Sequence, residues 1–404
     1  MNIVIYAGDN KYYKTLLPIV LEIKKRGYNF LFLYNEDTQL RLPHQKEYFS
    51  YDGKFPESAY ESSTMTISNS LGISLPFKPD VLILARERWQ PEQSIIYEFK
   101  QKFGCKIGLV EVSSHLINNI ENRLEMLSRM NHPQNLVDYF FEHSEFAKQR
   151  RIDCMDDSYN DKIIVVGNPR FSDIKLNNSN LKKYNIDRSK KQILFWGVIN
   201  TTRNIAFKAL RTLSEKTKDT HQIFYKCYPG EPTNPKFVNE FNPFVVPNIQ
   251  VIYDENDIFD IANLCDIHIA QTSSVFNFAF YYDKTIVNLD SVCNASEKMN
   301  DINTFVNETS NGVEDSAEFW MDIWNLKSIN DFKKLIDMQR LKKFKKTNSI
   351  IMNNVRESTI DFDWDCNFLL QPKKRYGDLI KYFDEYGFDK NSPKRIIDFL
   401  KDKI

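Results

Sequence analysis

Short apolar runs alternate along this chain with longer stretches whose apolar positions recur every three or four residues. The first rhythm predicts buried strands and the second predicts helices packed on them. Asn2 to Tyr6 reads as a strand. Tyr12 to Arg26 follows with helical spacing (Leu16, Leu17, Val20, Leu21, Ile23), is interrupted by Pro18 and is closed by Gly27. Pro18 predicts a kink, or a helix that begins later than Tyr12. Tyr28 to Tyr34 is a second strand, so the chain opens as a βαβ unit and a parallel, doubly wound sheet is expected. Further strands are predicted at Asp80–Ala85, Lys106–Val112, Val137–Glu142 and Lys162–Val166. Helices are predicted near Ser58–Leu71, at Glu92–Phe103, at Leu116–Met130 and from Ser144 onward.

Gly167-Asn168-Pro169-Arg170-Phe171 breaks this pattern. The following stretch, rich in Asn, Lys and Ser, reads as a joint. From Gln192 the rhythm restarts: strands at Gln192–Trp196, His221–Cys227, Ile249–Tyr253, Asp266–Ala270 and Thr285–Leu289, with helices at Ile205–Lys216, Ile258–Leu264 and Val275–Tyr282. After Asn300 the chain turns mostly helical, and it ends in a Lys-rich helix at Lys394–Ile404. The expected class is α/β, with two Rossmann-like lobes, a cleft between them and a helical C-terminal region. The expected division is a first lobe at 1–167, a linker at 168–190, a second lobe at 191–370 and C-terminal helices at 371–404.

A length of 404 residues agrees with two cores rather than one. The 54 basic and 54 acidic residues balance, so no general attraction to nucleic acid is implied. No apolar run is long enough to cross a membrane and no signal-peptide layout opens the chain, which points to a cytoplasmic protein. A basic run, Lys342-Lys343-Phe344-Lys345-Lys346, can rest on an anionic membrane face or end a solvated helix. Six scattered cysteines without a Cys-x-x-Cys pair read as buried thiols. Neither a Gly-x-Gly-x-x-Gly nor a Walker A pattern is present.

In a parallel sheet, ligands gather at the carboxyl ends of the strands. Thr272, Ser273 and Ser274 follow the Asp266–Ala270 strand and precede an apolar helix. Hydroxyls and outward-pointing backbone N–H groups there can cradle a nucleotide phosphate, or simply cap the helix. Asn200 and Thr201, with Thr202, follow the Gln192–Trp196 strand and can add donors. Lys226, Lys284 and Arg203 can supply counter-charge. In the first half Gly8, Arg86, Glu87, Arg88, Glu111, Ser113 and His115 lie at or near strand ends. Arg86 and Arg88 can bind an anionic acceptor or pair with Glu87. His268, inside an apolar strand, reads as a core histidine. Asp361-Phe362-Asp363-Trp364-Asp365 contains Asp-x-Asp, a spacing that can bind a divalent cation. Its position late in the chain makes it an acidic turn.

The Gly-Asn-Pro-Arg-Phe joint, the strand ending in Tyr228-Pro229-Gly230-Glu231, and the Ser-Ser turn before an apolar helix and a Lys-Thr-Ile-Val strand resemble bacterial surface-polysaccharide glycosyltransferases of GT-B architecture. The similarity is concentrated in residues 163–290. That group includes the CDP-glycerol polymerases and the CMP-sugar-dependent capsule and lipopolysaccharide transferases. A His-Pro pair commonly ends the strand equivalent to Gln222–Cys227 in the group. Here the pair is Tyr228-Pro229, which sets the chain apart from the polymerases. The resemblance runs nearest to the retaining β-Kdo transferases of O-antigen and capsule synthesis.

It implies that the first lobe takes the acceptor and the second the nucleotide-sugar donor. It further implies Glu231 as the acidic catalytic residue; Glu111 and Glu87, from their places at strand ends, are second candidates as acceptor-side base or acceptor binder. Thr272, Ser273, Ser274, Asn200, Thr201, Lys226, Tyr228, Pro229 and Gly230 would hold the donor, and Gly8, Arg86 and Arg88 the acceptor. Transfer of Kdo from CMP-Kdo to a surface glycan is the activity implied, with no metal and no cofactor beyond the donor substrate. The acceptor would be an oligosaccharide or lipid-linked glycan, with peripheral contact to the inner membrane. A CDP-glycerol or CDP-ribitol phosphotransferase and a non-catalytic nucleotide- or sugar-binding module are the alternatives.

Overall fold

The computed structural model describes residues 1–7, 10–34, 75, 77–85, 95–110, 136–154, 157–172, 176, 181–197, 203–227, 248–252, 258–271, 275–293, 357–374 and 390–404. Two six-stranded sheets organise them. The first contains β1 (Asn2–Ala7), β2 (Asn29–Tyr34), β3 (Val81–Leu84), β4 (Lys106–Val110), β5 (Tyr139–Glu142) and β6 (Ile163–Val165), in the order β2-β1-β3-β4-β5-β6. The second contains β7 (Lys191–Trp196), β8 (His221–Lys226), β9 (Ile249–Ile252), β10 (Ile267–Ala270), β11 (Thr285–Asn288) and β12 (Ile360–Asp361), in the order β12-β11-β10-β7-β8-β9. Every neighbouring pair is parallel. These are the two Rossmann-like lobes of a GT-B fold.

A parallel sheet needs cover on both faces, which is why its strands read as unbroken apolar runs. In β1, Ile3, Ile5 and Ala7 face helix α1 (Asn10–Lys25), while Val4 and Tyr6 join the opposite layer with Ile95, Ile96 and Phe99. The second sheet is built the same way. Ile193 and Phe195 pack under α3 (Arg203–Thr217). Leu194 and Trp196 pack against α4 (Ile258–Leu264) and α5 (Phe276–Tyr281). The helix between β5 and β6 is α2 (Glu145–Cys154), and α6 (Asp290–Cys293) follows β11.

α1 begins two residues before the position expected and runs through Pro18 without a break. Its Leu16, Ile19, Val20 and Ile23 are fully buried, so packing offsets the one ladder bond that proline cannot make. It ends as the spacing predicts. Gly27 adopts φ +70°, Gly27 N–H donates to the Lys24 carbonyl (3.0 Å) and Tyr28 N–H to that of Ile23 (3.3 Å). This is a Schellman close, and its left-handed residue favours glycine.

The two cores are joined over a short span. Val166 lies in the first core and Phe171 in the second, with only residues 167–170 between them. Gly167 takes φ +90°. Asn168 Oδ1 accepts from Arg170 N–H (3.1 Å), and Pro169–Phe171 forms a 3-10 turn. The Phe171 ring packs on Phe259, Phe278 and Tyr281. The Arg170 guanidinium stacks 5.0 Å from the Phe278 ring centroid.

The last helix, α7 (Ser392–Lys403), returns to this joint. Ser392 Oγ donates to the Gly167 carbonyl (2.9 Å) and Arg395 to the Val166 carbonyl (3.0 Å), while Arg26 bonds Asp398 (2.6 Å). Its Ile396, Ile397 and Leu400 are fully buried in the first core.

One further detail differs from the pattern reading, and one agrees with it. Ile360–Asp361 is a strand, β12, at the edge of the second sheet. Within the neighbouring acidic segment, the Asp363 carboxylate accepts the backbone N–H groups of Asp365, Asn367 and Phe368 (3.0 Å each), while Asp365 pairs with Lys216 (2.8 Å). The segment is thus an acidic turn that caps the 3-10 helix Asn367–Leu370. The helices expected at Ser58–Leu71, at Leu116–Met130 and just after Asn300 lie outside the described residues.

Leu400→Ala should lower unfolding stability by about 2–5 kcal/mol, because it opens a cavity in the first core. Leu370→Ala, at a position 86% exposed, should stay within about 0.5 kcal/mol. Urea unfolding followed by tryptophan fluorescence distinguishes the two.

Candidate functional site

Both sheets reverse their strand order, and those reversals mark the candidate sites. In the first sheet, β1 lies between β2 and β3, so the chain leaves β1 toward one side and returns on the other. In the second sheet β7 lies between β8 and β10 in the same manner. Outside the carboxyl ends of such a pair, adjacent loops diverge and leave a crevice. Ala7, which ends β1, is followed by Gly8. Ala85, just beyond β3, is followed by Arg86. In the second sheet the chain leaves β7 at Gly197 ahead of Asn200 and Thr201, and leaves β8 at Cys227 ahead of Tyr228 to Glu231. It leaves β10 at Gln271 ahead of Thr272 to Ser274. Strands β10, β7 and β8 are consecutive neighbours, so these three departures share one edge of one sheet.

The catalytic candidates Glu231 and Glu111 lie outside the described residues. So do the donor-side candidates Thr272, Ser273, Ser274, Asn200, Thr201, Tyr228, Pro229 and Gly230, and the acceptor-side candidates Gly8, Arg86 and Arg88. Glu87, Ser113, His115 and Thr202, and the side chain of Arg203, do as well.

Lys226 is described. It ends β8 beside Trp196, its register partner on β7, and is buried to 8% exposure. Its ammonium donates to the Cys227 carbonyl (3.0 Å), which holds the charge at the carboxyl edge of the sheet. Lys284 instead lies by Asp266 (3.8 Å), at the opposite end of β10. That position removes it from the carboxyl edge.

α5 is a six-residue helix whose first cap, Val275, has helical dihedrals and makes no side-chain cap bond. So short a helix aligns few peptide dipoles. Any anion binding by Thr272, Ser273 and Ser274, which precede it in the chain, rests on hydroxyl and backbone donors rather than on a macrodipole.

His268 sits in β10 with no exposure, and its Nε2 lies 2.9 Å from the Ala262 carbonyl. Burial, with a smaller contribution from Lys284, pushes its pKa down to about 3, against the bond to Ala262 that favours the proton. It is a neutral core histidine, as its place in an apolar strand suggested.

Two residues without a sequence-predicted role come forward in the structure. Trp196 ends β7 at the strand reversal with its indole buried, and Arg170 stands in the joint against α5. The one signal for Trp196 was a large donor-bearing ring closing a strand just before a glycine.

Among the described residues no group of three His, Cys, Asp or Glu side chains is arranged to hold a metal, and no helix is long and apolar enough to cross a membrane. Cys105, Cys227, Cys265 and Cys366 are buried free thiols.

Comparison with known proteins supports the architecture. No protein-family model matches the chain, and no curated protein matches its sequence. Solved structures do resemble it in fold. The S. aureus MnaA–UDP structure superposes with a TM-score of 0.55 at 16% identity, covering 99% of this chain and 96% of that one. A UDP-N-acetylglucosamine 2-epimerase superposes at 0.53 and 15% identity, covering 99% and 94%. The wall teichoic acid polymerase TagF superposes at 0.52 and 9% identity, covering 99% and 88%. These likenesses define the fold class as two-lobed GT-B.

The state of His268 has a consequence for stability. The folded protein holds this imidazole neutral down to about pH 3, whereas the unfolded chain takes up a proton near pH 6.5. Its contribution is therefore complete above pH 6.5. It declines as pH falls toward 3, by about 1.4 kcal/mol per pH unit. Urea unfolding between pH 7 and 4 should show this slope in the native chain and lose it in His268→Gln.

Proposed function

We propose that this chain is a glycosyltransferase that uses a nucleotide-activated sugar, with Kdo from CMP-Kdo as the donor and a bacterial surface glycan, O-antigen or capsule, as the acceptor. One observation carries the reading most directly. Three donor-rich segments leave neighbouring strands at the reversal of the second sheet, beside a buried lysine. The fold agrees with it, since structures of the same architecture include one with UDP bound and a wall teichoic acid polymerase.

In this reading Thr272, Ser273 and Ser274 donate to the donor phosphate, and Asn200 and Thr201 add hydrogen bonds from the adjacent strand end. Lys226 offsets charge as the nucleotide departs. Donors fixed in advance toward a developing anion lower the barrier because they need no reorganisation during the reaction. Tyr228, Pro229 and Gly230 contact the donor, and Glu231 acts at the anomeric carbon. There a carboxylate stabilises oxocarbenium character or attacks directly. On the first lobe Gly8, Arg86 and Arg88 receive the acceptor, and Glu111 takes the proton from its hydroxyl. The donor is a substrate, and the reaction uses neither a metal nor a cofactor. The protein works in the cytoplasm, in peripheral contact with the inner membrane where the acceptor lies.

The likeness to TagF keeps a CDP-glycerol-type phosphotransferase as the second reading. Tyr228, standing where the polymerases commonly carry histidine, argues against it. Product analysis separates the two. A new glycosidic bond with release of CMP supports the first reading, and a phosphodiester product from CDP-glycerol supports the second. Turnover of neither donor favours a binding module.

Glu231→Gln should reduce transfer about a hundredfold or more while CMP affinity stays unchanged. Full activity in that variant would remove Glu231 from the mechanism. Lys226→Met, which keeps the apolar stem, should weaken CMP binding about tenfold by calorimetry.

A further inference from the structure

We infer that Trp196 and His268 share one internal water molecule, which accepts the indole N–H and donates to imidazole Nδ1 where β7 and β10 run side by side. His268 Nε2 lies 2.9 Å from the Ala262 carbonyl, and a carbonyl oxygen only accepts, so Nε2 carries the hydrogen. In a neutral ring that leaves Nδ1 as a bare acceptor. Nδ1 is fully buried and makes no hydrogen bond to protein.

Trp196 supplies the complementary group. Its indole nitrogen can only donate, and it too is buried without a protein acceptor. The two rings are neighbours, with centroids 6.1 Å apart and planes inclined by 58°. Register explains why they meet. His268 pairs with Leu194, so Trp196, two residues further along β7, presents its side chain on the same face of the sheet as Leu194. Ala270 belongs to the same buried layer.

The surroundings are apolar, including Leu194, Phe276, Phe278 and Ile286. A buried polar atom left unsatisfied there costs about 1–3 kcal/mol. Two such atoms of opposite character, on adjacent rings that do not bond each other, are met together by a single water. Buried waters take two to four hydrogen bonds and recur where protein groups lack partners. The water would link the first strand of the second sheet to the strand that crosses to its other side. This inference concerns the interior of the lobe and does not depend on the donor assignment.

A crystal structure of the full chain, at a resolution that shows ordered solvent, tests it. The expected result is one density peak within about 3.2 Å of both Trp196 Nε1 and His268 Nδ1. No density there, or a protein atom bonded to either nitrogen, overturns the inference. A solution measurement on the unmodified protein serves as an independent check. The Trp196 indole proton should show a direct cross-relaxation peak to a long-lived water, and that peak should vanish selectively in His268→Phe. A missing peak in the native protein, or an unchanged one in the variant, counts against the shared water.

Discussion

The passage of the backbone from one core to the other constrains the whole molecule. Val166 and Phe171 are buried in different cores, and the residues between them must make the turn. Gly167 does so with a left-handed dihedral, Asn168 caps the next turn, and Pro169 fixes its direction. The carbonyls of Val166 and Gly167 accept hydrogen bonds from Arg395 and Ser392 at the start of α7. The final helix therefore completes the first core and satisfies the backbone of the joint at once. A parallel sheet needs cover on both faces, and here part of that cover comes from the far end of the chain.

The second constraint follows from the first. Once each half is a parallel sheet that starts near its middle and grows outward both ways, its strand order must reverse at the starting strand. The reversals fall at β1–β3 and at β7–β10. Segments rich in hydroxyls and amides follow the strands of the second reversal, and segments carrying glycine and arginine follow those of the first. The proposed assignment of donor and acceptor to the two halves rests on which residue types follow these reversals in the sequence.

Much of this was legible in the sequence because buried parallel strands and one-sided helices leave strong periodic signals. β1, β7 and β8, and the close of α1 at Gly27, agree with the pattern to within a residue or two. β12 was not legible. It contributes Ile360 and Asp361, too few residues for a period to show, and its pairing to β11 is a long-range choice. Pro18 lowers local helix propensity, but the buried packing of Leu16, Ile19, Val20 and Ile23 keeps α1 continuous through it, and that packing is not visible in the local sequence. At the candidate site, residue types could be read but not their company. That Lys226 stands beside Trp196 follows from register, which no single stretch of sequence reveals; Lys284 directly precedes β11, and in a parallel sheet that alone puts it away from the carboxyl edge.

The central claim is that the reversal in the second sheet holds a nucleotide, and specifically a cytidine monophosphate. Thermal unfolding in the presence of CMP, CDP, UDP, GDP and ADP, each with and without magnesium, tests it most directly. A ligand that binds only the native state raises the transition temperature by mass action. The account predicts selective stabilisation by CMP, unchanged when magnesium is withheld. Stabilisation by UDP or GDP in preference to CMP, or by none of the five, would contradict it.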